Sequence, residues 1–149
     1  MPSDVVFDSC VVAKWILPEV DSDKAQQVLS EIAQAGGRAI VVDIVFAEVA
    51  NAIWKQEHRG LISHEEALAF LDDLQTLPVV VQPARSHLSA AFEIASRHDR
   101  SVYDALFVAV AHASGLRRVT TDAPLKNAVQ KDYPEISLLH EWRAASSIA

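Results

Sequence analysis

The chain has 149 residues, 50% of them hydrophobic and 22% charged, proportions ordinary for a packed globular protein, and a single domain over residues 1–149 is expected. With 13 Lys and Arg against 20 Asp and Glu, the formal charge is −7. This disfavours broad, charge-driven wrapping of nucleic acid but not an enzyme acting on it, because a carboxylate metal site is itself negative until its cation binds. The lone cysteine, Cys10, excludes an intrachain disulfide and a thiolate zinc cage; residues 1–10 lack the basic start of a signal peptide, and no apolar run approaches the roughly 20 residues that cross a bilayer, so a cytoplasmic protein without membrane attachment is expected.

In chain order, Val5-Val6-Phe7 is a short apolar run that stops at Asp8 and reads as a buried strand. A short first helix carries Trp15-Ile16-Leu17 before Pro18. The stretch 23–35 is amphipathic and ends at Gly36-Gly37, where the chain turns left-handed to leave a helix. A second strand, 39–42, stops at Asp43, and a helix over 44–58 follows with Val45, Val49, Ala52 and Ile53 on one side. Trp54 on that helix is expected in the core, where aromatic residues carry much of the packing. Ser63 with Glu66 three residues on forms a capping box for a helix over 64–75. A third strand over 79–81, helices over 86–97 and 102–113, a fourth strand over 118–120, a short helix over 124–130 and a last strand over 136–138 complete the series. The helix at 102–113 is apolar nearly all round and is expected at the centre. Strands alternating with helices predict an α/β fold with a parallel sheet covered on both faces.

Most acids sit on solvated helix faces, but four do not. Asp8 and Asp122 end the first and fourth strands, Glu48 lies inside Ile-Val-Phe-Ala-Glu-Val-Ala-Asn, and Asp104 is the sole charge in Val-Tyr-Asp-Ala-Leu-Phe-Val-Ala-Val-Ala. Asp8 and Asp122 also fit as helix N-caps, and Ser101 with Asp104 fits an acidic capping box. Glu48 resists such a reading, since a carboxylate about a turn into an apolar helix calls for a cation or an arginine; Asn51, three residues on, shares its face. In parallel α/β sheets the carboxyl ends of strands and the helix starts beyond them form the ligand crevice, which would gather these acids into one oxygen-donor cluster suited to Mg²⁺ or Mn²⁺. The six histidines are scattered, with no zinc spacing among them. They are expected at the surface, His98 being the one closest in sequence to the Asp104 helix. Lys14, Arg97, Arg100, Arg117 and Arg118 flank these elements and are candidates for RNA phosphate contacts, or simply solvated charge.

Four fragments carry a resemblance: Val5-Val6-Phe7-Asp8-Ser9, Glu48-Val49-Ala50-Asn51, Val102-Tyr103-Asp104-Ala105-Leu106 and Val119-Thr120-Thr121-Asp122. In this order, over essentially the whole chain, they resemble the PIN-domain ribonucleases, specifically the toxins of VapBC-type toxin–antitoxin pairs. The resemblance implies a three-layer α/β/α sandwich with a mainly parallel sheet of about five strands. It also implies a Mg²⁺- or Mn²⁺-dependent site that hydrolyses RNA. On it, Asp8, Glu48, Asp104 and Asp122 match the acidic quartet that holds the metal, Ser9 and Thr120 match polar positions that support the acids or orient a water, and Asn51 matches a companion of the glutamate. Cys10 departs from the usual Asn or Ser. A cognate antitoxin and a homodimer are implied as partners, with the first helix and Trp15 bordering the groove that receives the antitoxin's peptide.

Three rivals have weaker support. An aspartyl phosphatase needs a second Asp two residues after Asp8, where this chain has Cys10. A phosphoacceptor receiver domain needs paired acids at the first strand and a lysine after the last. A catalytically silent PIN-like module would not need all four acids.

Overall fold

The computed structural model describes residues 3–143, so both ends of the expected 1–149 domain lie outside the described residues. Strand β1 (Val5–Phe7) is wholly buried because apolar layers cover both its faces. Val5 and Phe7 pack into one layer and Val6 into the other; β2 (Ala39–Val42) divides the same way, Ala39 and Val41 from Ile40 and Val42. Side chains alternate across a strand, so burial on both faces demands the unbroken apolar runs seen in the sequence.

Strands β3 (Val80–Gln82), β4 (Arg117–Thr120) and β5 (Ile136–Leu138) complete a five-stranded sheet in the order β3-β2-β1-β4-β5. Every pairing is parallel. The chain therefore winds outward from β1 to β3, then returns to lay β4 against the other side of β1. Helices α1 (Ser9–Ile16), α2 (Ser22–Gln34), α3 (Ile44–His58) and α4 (His64–Gln75) belong to the first winding and pack on one face. The return supplies α5 (Leu88–His98), α6 (Val102–Ser114) and α7 (Ala123–Val129) on the other face. Reversing direction while keeping right-handed crossovers puts the two sets on opposite sides. Between β1 and β4 the winding direction changes, and there the carboxyl ends of adjacent strands splay their following loops apart to open a crevice.

The helices match the periodicity closely. Ser63 and Glu66 form the expected capping box of α4. In α6 all residues from Ala105 to Ala111 are buried, its alanines letting the helix lie close to the sheet, as its apolar sequence required. Strand β3 begins one residue later than its β-branched run suggested, and the helix expected from residue 86 opens as a 3-10 turn over Ala84–His87 before α5.

The two tryptophans reverse their expected roles. Trp15 is only 8% exposed, meets the Phe7 ring edge-on at 4.8 Å between centroids, and donates its indole N–H to the Ala25 carbonyl at 2.9 Å. It is a core residue, because α1 also buries Val11, Val12, Ala13 and Ile16 and keeps no apolar side for a partner. Trp54 is 53% exposed and stacks on His58. On α3 the buried stripe is Val45, Val49 and Ile53, and one residue further on points about 100° away from it.

Candidate active site

Asp8 and Asp122 stand just beyond the adjacent ends of β1 and β4, where Phe7 pairs with Val119. Asp104 lies in the first turn of α6 and Glu48 in the second turn of α3. The Asp104 charge acts on Asp8, and the Asp8 and Asp104 charges act on Glu48, which places these three carboxylates in one neighbourhood. Asp104 and Asp122 are joined through Arg100, whose Nη2 lies 3.3 Å from Asp104 Oδ2 and 3.8 Å from Asp122 Oδ2. All four acids singled out in the sequence thus border the switch point of the sheet.

The polar residues predicted to support them do so directly. The Thr120 hydroxyl donates to Asp8 Oδ2 at 2.8 Å and accepts the Asp122 backbone N–H at 3.1 Å. One buried side chain thereby fixes two of the acids relative to each other. Asp8 Oδ1 accepts the Ser9 backbone N–H at 2.9 Å, and the Ser9 side chain lies near enough to Glu48 to favour its charged form. Asp122 is also a true helix cap, Oδ1 accepting from Leu125 N–H at 3.0 Å, which leaves Oδ2 facing the crevice. Capping and membership of the site are therefore compatible. Ser101 caps α6 through the Asp104 N–H at 3.1 Å, but the return bond of a capping box is missing: the Asp104 carboxylate turns to Arg100. Asn51 is exposed and its side chain has no hydrogen-bond partner among the described residues, so its suggested help to Glu48 is not seen.

Burial, followed by the nearby Asp104 charge, pushes Asp8 up to about 6, against the opposing bonds from Thr120 and Ser9. Burial and the Asp8 charge likewise raise Glu48 above the ordinary carboxylate range, although the residue is in part exposed to solvent. Such shifts mark carboxylates held closer together, and drier, than their charges favour. Among the described residues Arg100 is the only base paired with any of the four.

Cys10 is more than a peripheral departure. Its Sγ lies 3.5 Å from Thr120 Oγ1 and accepts the Thr121 backbone N–H at 3.3 Å, tying α1 to the loop after β4. Burial and the adjacent Asp8 push its thiol up to about 11, which keeps it protonated and unreactive. The other bases have different employment. Arg118 is buried below the Tyr133 ring, Arg117 lies over Trp142, and Lys14 bonds the Val20 carbonyl and Glu19; Arg97 alone of the five candidates is an exposed cation. His98 is not surface-exposed, its ring packed against Tyr133 and its Nε2 3.1 Å from Asp132 Oδ2. The bridging place of Arg100 was missed, though its spacing four residues before Asp104 was the available signal.

Four carboxylates and a threonine hydroxyl are hard oxygen donors, the chemistry a divalent cation such as Mg²⁺ requires. As the side chains stand, no three His, Cys, Asp or Glu among the described residues close around a common point. Asp104 and Asp122 are instead drawn toward Arg100.

The PIN domain family model matches residues 5–130, a span that contains all four acids. Ribonuclease VapC3 of Pyrobaculum aerophilum is 32% identical over 123 residues, covering 81% of this chain and 91% of the relative. A chain of VapBC2 from Rickettsia felis, bound to a DNA fragment from its promoter, superposes with a TM-score of 0.64 at 16% identity, over 90% of this chain and 96% of that one. VapC20 of Mycobacterium tuberculosis, a toxin that cleaves the sarcin–ricin loop, gives a TM-score of 0.62 at 19% identity, over 84% of this chain and 95% of that one. At such identities the structural likeness shows the fold, an α/β/α sandwich around a parallel five-stranded sheet.

Proposed function

The chain belongs to the PIN-domain family, and from that premise we propose that it is a Mg²⁺- or Mn²⁺-dependent endoribonuclease, the toxin of a VapBC-type toxin–antitoxin pair acting in the cytoplasm. The observation that carries the reading is the placement of Asp8, Glu48, Asp104 and Asp122 around the β1/β4 switch point, with Asp8 raised by burial and the Asp104 charge, and Glu48 by burial and the Asp8 and Asp104 charges. The relative named Ribonuclease VapC3 supports the substrate class. We take residues 1–149 as one domain.

The four acids would hold the ion. When bound, it supplies charge relief at the phosphoryl oxygens and makes an attacking water acidic near neutral pH. The remaining work falls to the chain. Thr120 and the Ser9 N–H hold both oxygens of Asp8, and the Leu125 N–H holds Asp122 Oδ1. Donors fixed before the substrate arrives need no reorganisation during the reaction. A carboxylate oxygen left off the ion accepts the proton of the water.

For the antitoxin, the exposed apolar surface lies on the α3–α4 hairpin, where Trp54 is 53%, Leu61 65% and Leu68 51% exposed. An aromatic anchor flanked by leucines suits an amphipathic peptide helix. Leu88 and Phe92, exposed on α5, offer apolar area for a homodimer.

The test is incubation of the purified protein with total RNA in Mg²⁺, Mn²⁺ or EDTA, followed by mapping of the new ends. Discrete metal-dependent ends that vanish with Asp8→Asn and Asp104→Asn are expected. Cleavage that persists in both variants, or in EDTA, overturns the reading.

A further inference from the structure

We propose that Arg100 is a resident counter-ion of the acidic site which competes with the divalent cation for Asp104 and Asp122, and so sets the ion concentration at which the site loads. This rests on the reading of the four acids as a divalent-cation site.

The competition is for the same atoms. Asp122 Oδ1 is committed to the Leu125 N–H, so Oδ2 is the oxygen left for an ion, and Oδ2 faces Arg100 Nη2 at 3.8 Å. On Asp104, too, it is Oδ2 that the guanidinium contacts, at 3.3 Å. These carboxylates come from different elements, the start of α6 and the end of β4, so one guanidinium bridges two walls of the crevice.

Arg100 is placed for this by the backbone. Asp99 adopts a left-handed conformation with φ +53° at the end of α5, and the Arg100 N–H returns to the Ala95 carbonyl at 3.1 Å. The turn delivers the side chain back across the start of α6. It is 24% exposed, and its Nε is buried with no partner. A guanidinium so desolvated is costly without its carboxylates, which distinguishes it from a mobile surface arginine.

Among the described residues, Asp8 and Glu48 have no base in contact. Arg100 therefore neutralises only the α6/β4 side of the crevice, and the opposite side remains to draw the cation in. An incoming divalent ion must displace the guanidinium from the two Oδ2 atoms or tolerate a positive charge a few ångströms away. Either requirement weakens binding.

The experiment titrates Mn²⁺ into the chelator-treated protein by calorimetry, with unfolding midpoints measured in EDTA and in Mn²⁺. Wild type is compared with Arg100→Ala, Arg100→Gln, Arg100→Lys and Arg97→Ala, the last removing an exposed charge from α5. Arg100→Ala and Arg100→Gln are expected to bind Mn²⁺ about tenfold more tightly than wild type. Their midpoints in EDTA should fall, because two carboxylates lose a shared counter-ion, and should rise further on adding Mn²⁺. Arg100→Lys is expected to restore weaker binding, and Arg97→Ala to match wild type. If Arg100→Ala does not fold, Arg100→Gln decides. Binding equal to or weaker than wild type in the folded variants overturns the inference while leaving the metal site standing, as does an equal gain in Arg97→Ala. Absence of Mn²⁺ binding by every protein overturns the metal reading and this inference together.

Discussion

Replacing Asp8 by Asn should stabilise the metal-free protein, and the gain should depend on pH in a direction the site geometry fixes. Asp8 rises from an ordinary 3.8 to about 6 in the fold, first through burial and then through repulsion by Asp104. A raised carboxylate is protonated in both folded and unfolded chains well below about pH 4, where it imposes no cost; the cost accumulates between about pH 4 and pH 6, where the unfolded group has ionised while the folded one still holds its proton, and is complete above about pH 6. The full linkage is about 3 kcal/mol at neutral pH. Residual solvent access at Asp8 and its coupling to Asp104 reduce the recoverable part to about 1–2 kcal/mol. Asparagine preserves the scaffold: its carbonyl accepts the Ser9 N–H, and its amide N–H can donate to the Thr120 hydroxyl, which otherwise donates to Asp8 Oδ2. Urea unfolding in EDTA of wild type and Asp8→Asn, at about pH 3.5, 5 and 8, should show the smallest difference at the lowest pH, an advantage for the variant that grows up to about pH 6, and a plateau above it. If the variant is less stable by the same amount at every pH, the Asp8 carboxylate is a stabilising structural group and the argument for a repulsive acidic site is wrong.

Asp104→Asn should keep its melting temperature within a few degrees, since the Ser101 cap bonds the backbone N–H, while metal-dependent RNA cleavage drops by at least about 100-fold; end-mapping gels and thermal melts check both. Glu48→Gln should leave metal-free stability unchanged or higher, because burial and Asp8 raise Glu48 in the fold, and should abolish the rise in melting temperature that Mn²⁺ produces. A variant that melts lower and still responds fully to Mn²⁺ would make Glu48 structural. Trp15→Ala should cost about 3–5 kcal/mol in urea unfolding, as a buried aromatic that also loses its bond to Ala25. Trp54→Ala should stay within about 1 kcal/mol of wild type and still cleave RNA. It should, however, bind the neighbouring gene's antitoxin at least about tenfold more weakly in calorimetry, and unchanged affinity would remove the α3–α4 hairpin as the anchor.

The chain's local periodicity determined most of the fold. Apolar runs such as Val5-Val6-Phe7, which stays buried on both faces, announce strands sandwiched between layers, and the cap and terminator at Ser63 and Gly36 mark helix ends that near neighbours alone decide. The four acids were legible for the same reason, because a charge inside an apolar stretch is anomalous against its immediate neighbours. What those acids meet was not legible. Val5 pairs with Arg117 and Ala39, residues remote in the chain, and only this winding puts Asp8 beside Thr120 and brings Asp122 under Arg100. The tryptophans show the same limit. Aromatic character is local, but exposure depends on which side of its helix a residue occupies and on what packs there: Trp15 falls against Phe7 and Ala25, and Trp54 lies about one residue's rotation off the buried stripe of α3. Arg100 could be seen to reach Asp104 from spacing alone; its second carboxylate, Asp122, and the desolvation that holds it between the two arise only when α6 and β4 are folded against each other.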